Sequence, residues 1–320
     1  MASTQSARPK GRHPERGGRE RHGLSLGTLF FAVVLVAGLC LVLYPTVSDW
    51  WNRYHESRAV AGYIEKVADT SAADRQKEMA AARAYNETLV GRGLSRFNLT
   101  SGQKKEYEKL LDTTNTGIMG YVTIPKIAVR LPLYHGTSDT VLQVAVGHLP
   151  GSSLPVGGAS THAVVSGHTG LPSARLLTGL DELRKGDTFA FHVLGETFTY
   201  KVDQISVVLP DQLSKLAISN GKDEATLITC TPYGINTHRL LVRGHRIPNP
   251  MADTTVYDTP DEMIRTVALI GAFVLAGLEL VLLGAKSRRR FIVLAGMHAP
   301  YGQHNGGVYG TRNDVKGAEQ

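Results

Sequence analysis

The sequence predicts a mainly β domain of about eight short strands, a closed barrel or a sandwich, preceded by a helical segment and flanked by two membrane-crossing helices. Three observations carry that prediction. Eight short runs of β-branched and aromatic residues, punctuated by Gly and Pro, fall between Tyr121 and Arg243. Two long apolar runs, Leu24 to Tyr44 and Thr266 to Ala285, lie outside them. Charge is segregated: the 320-residue chain has a formal net charge of +7, yet residues 1 to 23 are net +4, residues 264 to 320 are net +4, and residues 48 to 263 are net −1. The near-neutral middle removes the main support for a nucleic-acid groove there, so no nucleic-acid partner is expected.

The elements follow in chain order. Residues 1–23 form a basic N-terminus holding Arg8, Lys10, Arg12, Arg16, Arg19 and Arg21. Leu24 to Tyr44 then runs for 21 residues without a charge, enough helix at about 1.5 Å per residue to cross a hydrocarbon layer of roughly 30 Å. No small-x-small cleavage site precedes Tyr44-Pro45, so residues 24–45 read as an uncleaved anchor rather than a signal peptide. A second span is expected over residues 264–285, followed at once by Lys286, Arg288, Arg289 and Arg290. A buried core helix competes for this second run, because Glu279 is costly in lipid away from the headgroups. Basic flanks stay on the cytoplasmic side. Both termini are therefore expected in the cytoplasm, with the lipid bilayer as a partner and everything between the spans outside the cell. The 286–320 tail, Gly-rich and without periodicity, reads as disordered.

Between the spans, residues 46–116 read as a helical preface. From His55 to Leu89 there is little Gly or Pro, and Val60, Ile64, Val67, Ala81, Tyr85 and Leu89 are spaced like the faces of two helices. Gly91 to Thr116 is polar, a loop or linker with a helical stretch near Lys104 to Leu111. Asn86-Glu-Thr and Asn98-Leu-Thr match the glycosylation acceptor pattern, which is too short to carry a function. Residues 117–250 form the β body, with strands expected at Tyr121–Ile124, Val141–Val146, His162–Val165, Thr188–Val193, Thr197–Val202, Ile205–Leu209, Ala225–Thr229 and Arg239–Arg243. Gly195-Glu196 suits a hairpin turn, and Ser173–Leu183 and Asp211–Leu216 suit short crossing helices. Residues 251–263 are a linker to the second span.

Candidate chemistry centres on Cys230. The chain has two cysteines, too few for a disulfide scaffold or a four-ligand zinc site. Cys40 lies in the first span, so Cys230 is a lone thiol in an oxidising compartment, at a point where the strand Ala-Thr-Leu-Ile-Thr gives way to a turn. Free cysteines are commonly small buried hydrophobes. A nucleophilic one needs a nearby base or cation to hold thiolate. His168, flanked by Gly167 and Gly170, is one candidate base. His135, His148, His162, His192, His238 and His245 stay open beside it, and no further Cys or acidic ligands complete a metal site around His162 and His168. Arg239 opens the strand after Cys230, where it faces the thiol across a ladder or is a solvated strand charge. A guanidinium there stabilises an acyl-transfer oxyanion, typically by about 3 kcal/mol per donor.

Thr226-Leu-Ile-Thr-Cys230 followed by Arg239, with His168 upstream in Ser-Gly-His-Thr-Gly, resembles the signature of the sortases, Gram-positive cell-surface transpeptidases. Cys230-Thr-Pro-Tyr-Gly-Ile-Asn-Thr-His-Arg239, Met119-Gly-Tyr-Val-Thr-Ile-Pro-Lys-Ile127, Tyr134-His-Gly-Thr137 and Gly147-His-Leu-Pro-Gly-Ser-Ser-Leu-Pro-Val-Gly-Gly158 look like class C, the pilin-polymerising sortases. The similarity runs from about Tyr85 to Ile247. It implies an eight-stranded sortase-type β-barrel with Cys230, His168 and Arg239 as catalytic residues and no metal or organic cofactor. The partners it implies are pilin subunits bearing LPxTG-like sorting signals, cut between Thr and Gly and joined to a pilin lysine amine. Phe97 and Thr229 are the candidate lid or substrate-binding residues. Class C lids usually carry an Asp-Pro-aromatic motif, and the matching stretch here is Leu94-Ser-Arg-Phe-Asn-Leu-Thr100, without Asp-Pro. Attachment of single proteins to peptidoglycan and a non-enzymatic anchored β-domain are the competing functions. The sequence sets no oligomeric state.

Overall fold

The computed structural model describes residues 26–250 and eight isolated positions beyond them: 265, 268, 269, 271, 272, 276, 277 and 279. Helix α1 (Leu26–Asp69) is one continuous rod of 44 residues that carries the apolar run into the helical preface, with Pro45 inside it. Its first half exposes Leu29, Phe30, Phe31, Val33 and Val34, while its second half buries Val60, Tyr63 and Val67 on the barrel. Among the described residues it is the one helix long and apolar enough to cross a membrane. The expected second span lies largely outside the described residues; its described positions are helical.

Helix α2 (Ala72–Leu89) starts at Ser71, whose hydroxyl accepts the Asp74 amide at 3.1 Å, as an N-cap should. It packs Met79, Ala82 and Leu89 inward. Asn86 clasps the barrel: its amide donates to the Leu154 carbonyl at 3.1 Å and accepts the Leu154 N–H at 2.7 Å. Buried and bonded on both sides, Asn86 offers no glycan acceptor. The stretch read as a linker is folded. It holds a 3₁₀ turn (Gly93–Phe97) and helix α3 (Ser101–Tyr107), which opens with a Thr100/Gln103 capping box and ends on the fully buried Tyr107.

Eight strands close the barrel in the order β1-β2-β3-β4-β7-β8-β6-β5. They are β1 (Ile118–Ile124), β2 (Val129–His135), β3 (Val146–His148), β4 (Thr161–Ser166), β5 (Thr188–Val193), β6 (Glu196–Val208), β7 (Asp223–Thr231) and β8 (His238–Arg246). Closure removes exposed edges. The interior is filled by Val122, Leu133, Val165, Phe189, Phe191, Tyr200, Leu227 and Val242, with Phe189 stacked on Tyr200 at 5.6 Å.

Three strand expectations change. β2 was hidden by Pro132, which a strand tolerates here because β3 pairs only from Leu133 onward and leaves Pro132 with a neighbour on one side. The strand expected at Val141–Val146 is instead a helical turn, α4 (Asp139–Leu142), with β3 beginning at Val146; a short apolar run fits both periods. Thr197–Val202 and Ile205–Leu209 are one strand, β6, whose pairing with β8 shifts between Val202 and Gln204. Asp203 at that bulge pairs with Arg243 at 3.0 Å. The β5–β6 hairpin turns at Leu194-Gly195, both at positive φ. Only single 3₁₀ turns, Leu180–Glu182 and Ser214–Leu216, form within the two expected crossing helices.

Candidate active site

Alternation along β4, β7 and β8 sends Ala163, Val165, Ala225, Leu227, Leu240 and Val242 into the barrel and turns Val164, Ile228 and Leu241 outward. The outward residues form a second apolar cluster with Leu149, Val208, Leu213 and Leu216. Cys230 lies two residues beyond Ile228, and Arg239 two residues before Leu241, so both share this outer face at its end. They are direct cross-strand partners in the β7–β8 ladder. Opposed residues on one face stand with Cβ atoms about 4.5–5.5 Å apart, within reach of a guanidinium and a thiol.

Cys230 and Arg239 are each half-buried, covered enough to be positioned and open enough to meet a substrate. Arg239 Nη1 donates to the carbonyls of Asn236 and His238, both at 3.1 Å, which anchors the guanidinium on the turn between the strands. Its remaining nitrogens have no hydrogen-bond partner among the described residues.

His168 reaches the same end from β4. This strand runs parallel to β7 with Ser166 opposite Ile228, and the Gly167 N–H still donates to the Ile228 carbonyl at 3.0 Å. His168 stands two residues beyond the last β4–β7 pair, and Cys230 two residues beyond Ile228, its β7 member, at the same end of the sheet. Gly167 has no room for a side chain, since a Cβ there would press on Leu177 and Val146 at 2.8–2.9 Å. Thr229 is 3% exposed, and its hydroxyl donates to the Gly167 carbonyl at 2.8 Å. It thereby ties the residue before His168 to the residue before Cys230, rather than facing solvent.

The other histidines of the barrel strands are committed elsewhere. His148 Nε2 donates to the Ser153 carbonyl at 2.8 Å and Nδ1 accepts from the Tyr107 hydroxyl at 2.9 Å; burial pushes its pKa down to about 3. His162 Nδ1 donates to the Ala217 carbonyl and Nε2 accepts from Thr226, and burial lowers its pKa too. His135 faces the carbonyls of Gly117 and Leu110, His192 sits between the Thr123 and Thr197 hydroxyls, His238 meets Thr237, and His245 lies 3.5 Å from Asp203. The half-buried His168 ring has no hydrogen-bond partner among the described residues. No group of three or more His, Cys, Asp or Glu among them is placed to hold a metal.

Phe97 packs against the outer apolar cluster that leads to Cys230. Its neighbour Arg96 is 4% exposed, lies over the Phe97 ring at 4.4 Å, and donates through Nη2 to the Leu216 carbonyl and through Nη1 to Gly93. Gly151 lies so close beneath the Arg96 carbonyl that a Cβ there would clash, and its φ of +87° also favours glycine. Nothing local in the chain marks Arg96 as an anchor, because an Arg in a polar stretch reads as a solvated charge. A cleft of about 680 Å³ opens elsewhere, on the wall formed by β1, β5 and β6 under α1 and α2. Its lining holds no cysteine, so volume alone misdirects.

The closed barrel thus sets a half-buried thiol directly across the ladder from a guanidinium. The Sortase domain matches residues 122–247. Sortase C1 from Streptococcus agalactiae is 52% identical over 60% of this chain and all of its own, with a TM-score of 0.59. Streptococcus pneumoniae sortase C is 42% identical, covering 61% of this chain and 100% of its own, TM-score 0.55. Clostridium perfringens sortase C, solved with the C-terminal cell wall sorting motif, is 41% identical over 60% and 100%, TM-score 0.51. The chain belongs to the sortase family of cysteine transpeptidases, and within it to class C.

Proposed function

We propose that this sortase polymerises pilins, with Cys230 as nucleophile, His168 as acid and base, and Arg239 as oxyanion donor. The observation that carries the reading is the cross-strand opposition of Cys230 and Arg239 on an apolar outer face, with His168 arriving from the parallel neighbour. The Cys230 sulfur attacks the Thr carbonyl of an LPxTG-like signal. Arg239 donates to the resulting oxyanion. The Thr–Gly bond breaks as His168 protonates the leaving amine, and a thioester remains on Cys230. A lysine ε-amine of another pilin, losing its proton to His168, attacks the thioester; an isopeptide bond forms and the thiol is restored. The pneumococcal relative, described in terms of pilin substrate specificity, and the Clostridium enzyme with its sorting motif support this substrate class.

Phe97, held by Arg96, covers the apolar face as a lid whose anchor replaces the missing Asp-Pro pair. The apolar half of α1 holds the enzyme in the membrane, with the barrel outside, both termini cytoplasmic and residues 264–285 returning through the bilayer. Domain bounds at 23/24, 45/46, 116/117, 250/251, 263/264 and 285/286 accompany that layout.

The test is product size. Full-length enzyme with a pilin bearing a sorting signal should give a ladder of covalent polymers that disappears with Cys230→Ala. A single shifted band instead of a ladder would assign the enzyme to anchoring of individual proteins, and a ladder surviving Cys230→Ala would remove Cys230 from the chemistry.

A further inference from the structure

We infer that Asp49 and Asn52, one turn of the anchor helix α1, are positioning residues that brace the loop behind His168. The inference rests on the proposed role of His168. The geometry is a two-point clamp on loop backbone. Asn52 Nδ2 donates to the Ser173 carbonyl at 2.8 Å, and Asp49 Oδ1 accepts the Arg175 N–H at 2.9 Å. Three residues apart, the two side chains share a face of the helix. Asp49 is itself held by Arg53 at 3.0 Å.

The clamped loop feeds straight back to the site. Leu177 N–H donates to the His168 carbonyl at 3.0 Å, and Thr178 Oγ1 accepts the Gly170 N–H at 3.1 Å, so residues 168–178 form one closed excursion. Its near side meets the turn beyond Cys230, where a Cβ on Gly170 would stand 3.1 Å from the Tyr233 ring. Apart from the clamp, the excursion has one backbone bond and one backbone-to-hydroxyl bond at its neck, the short Leu171–Ala174 bridge inside it, and the side chains of Ala174, Leu176 and Leu177 buried in the core. The clamp adds the polar hold on the backbone at Ser173 and Arg175, on either side of the buried Ala174, and a shift of about 1 Å at a catalytic group costs up to about a hundredfold in rate.

Asn52 follows the end of the apolar run at Tyr44 by eight residues, about 12 Å of helix. The element that anchors the enzyme and the element that steadies its histidine are therefore the same rod. The turn of α1 that carries Asp49 and Asn52 reaches the loop behind His168 directly.

The experiment uses full-length enzyme in detergent micelles, a fluorogenic Leu-Pro-Glu-Thr-Gly peptide, and the variants Asp49→Ala, Asn52→Ala and Asp49→Asn. The alanine variants should lower kcat about tenfold with KM within twofold, and should speed hydrogen exchange at the Arg175 and Leu177 amides. Asp49→Asn keeps an acceptor for the Arg175 N–H and should recover most of the rate. Unchanged kcat and unchanged exchange in both alanine variants would overturn the brace. So would loss of rate in Asp49→Asn equal to that in Asp49→Ala. Cys230→Ala and His168→Ala run alongside: if they abolish turnover while the brace variants do not alter it, only the brace fails, whereas turnover surviving them would mean that the site assignment has failed and the brace with it.

Discussion

Two sets of histidines in this barrel teach opposite lessons. His148 and His162 are completely buried, and each ring nitrogen has a partner of the right polarity, a carbonyl for its N–H and a hydroxyl for its lone pair. His168 is half-buried at a strand end with its ring unspent. Saturated hydrogen bonding locks a tautomer and holds the ring neutral, which suits a structural part. Proton transfer needs a nitrogen that can pick up and release a proton against a substrate. The difference lies less in the residue type than in how much of its bonding capacity the fold has consumed.

The sharpest way to break that contrast is to exchange its members. His168→Ala and Cys230→Ala should each lower turnover by at least about a thousandfold and leave the unfolding midpoint within about 0.5 kcal/mol of wild type. Arg239→Ala should cost on the order of a hundredfold or more in kcat, the usual loss for one oxyanion donor. Arg239→Lys should recover little, because a single ammonium lacks the guanidinium fork.

His148→Ala should do the reverse, lowering stability by about 3 kcal/mol through the stranded Tyr107 hydroxyl and Ser153 carbonyl, while turnover of the folded fraction persists. pH sharpens the same point. The folded-state pKa of His148 is pushed below the ordinary histidine value of 6.5, to about 3, so its stabilising effect is fully present above pH 6.5 and is lost as pH falls from there towards 3. Urea midpoints at pH 7 and 5 should show a loss on the order of 2 kcal/mol. His148→Gln, which cannot take up the proton, should shrink it; an undiminished loss would assign the acid sensitivity elsewhere.

The smallest effect concerns the lid. Phe97→Ala in a Cys40→Ser background should raise the rate of thiol labelling at Cys230 about fivefold, the equivalent of roughly 1 kcal/mol of lost apolar contact on a half-buried ring. An unchanged rate would take Phe97 out of the lid.

Much of the candidate site was legible in the chain. Leu227-Ile228-Thr229-Cys230 announces a strand end, and Arg239 falls where an antiparallel return brings it back. Spacing did not single out one histidine, since the seven candidates have similar local surroundings, and it is burial and hydrogen-bond partners that set His168 apart. Pro132 concealed β2, and the 141–146 run fitted both helical and strand periods. Arg96, Asp49 and Asn52 gave no local signal at all: each acts on a backbone group more than 100 residues away, at Leu216, Arg175 and Ser173.

What the sequence by itself determined is what depends on neighbours along the chain: a long apolar helix, alternating strands, a thiol at a strand terminus and a charge balance that leaves the middle neutral. What the tertiary structure alone decided is which distant groups share a face and which polar atoms are already satisfied. Local pattern sets periodicity and exposure through short-range sterics and solvation. The pairing of β4 with β7, of β7 with β8, and of α1 with the loop behind His168 depends on closing the barrel, and closure is a property of the whole chain.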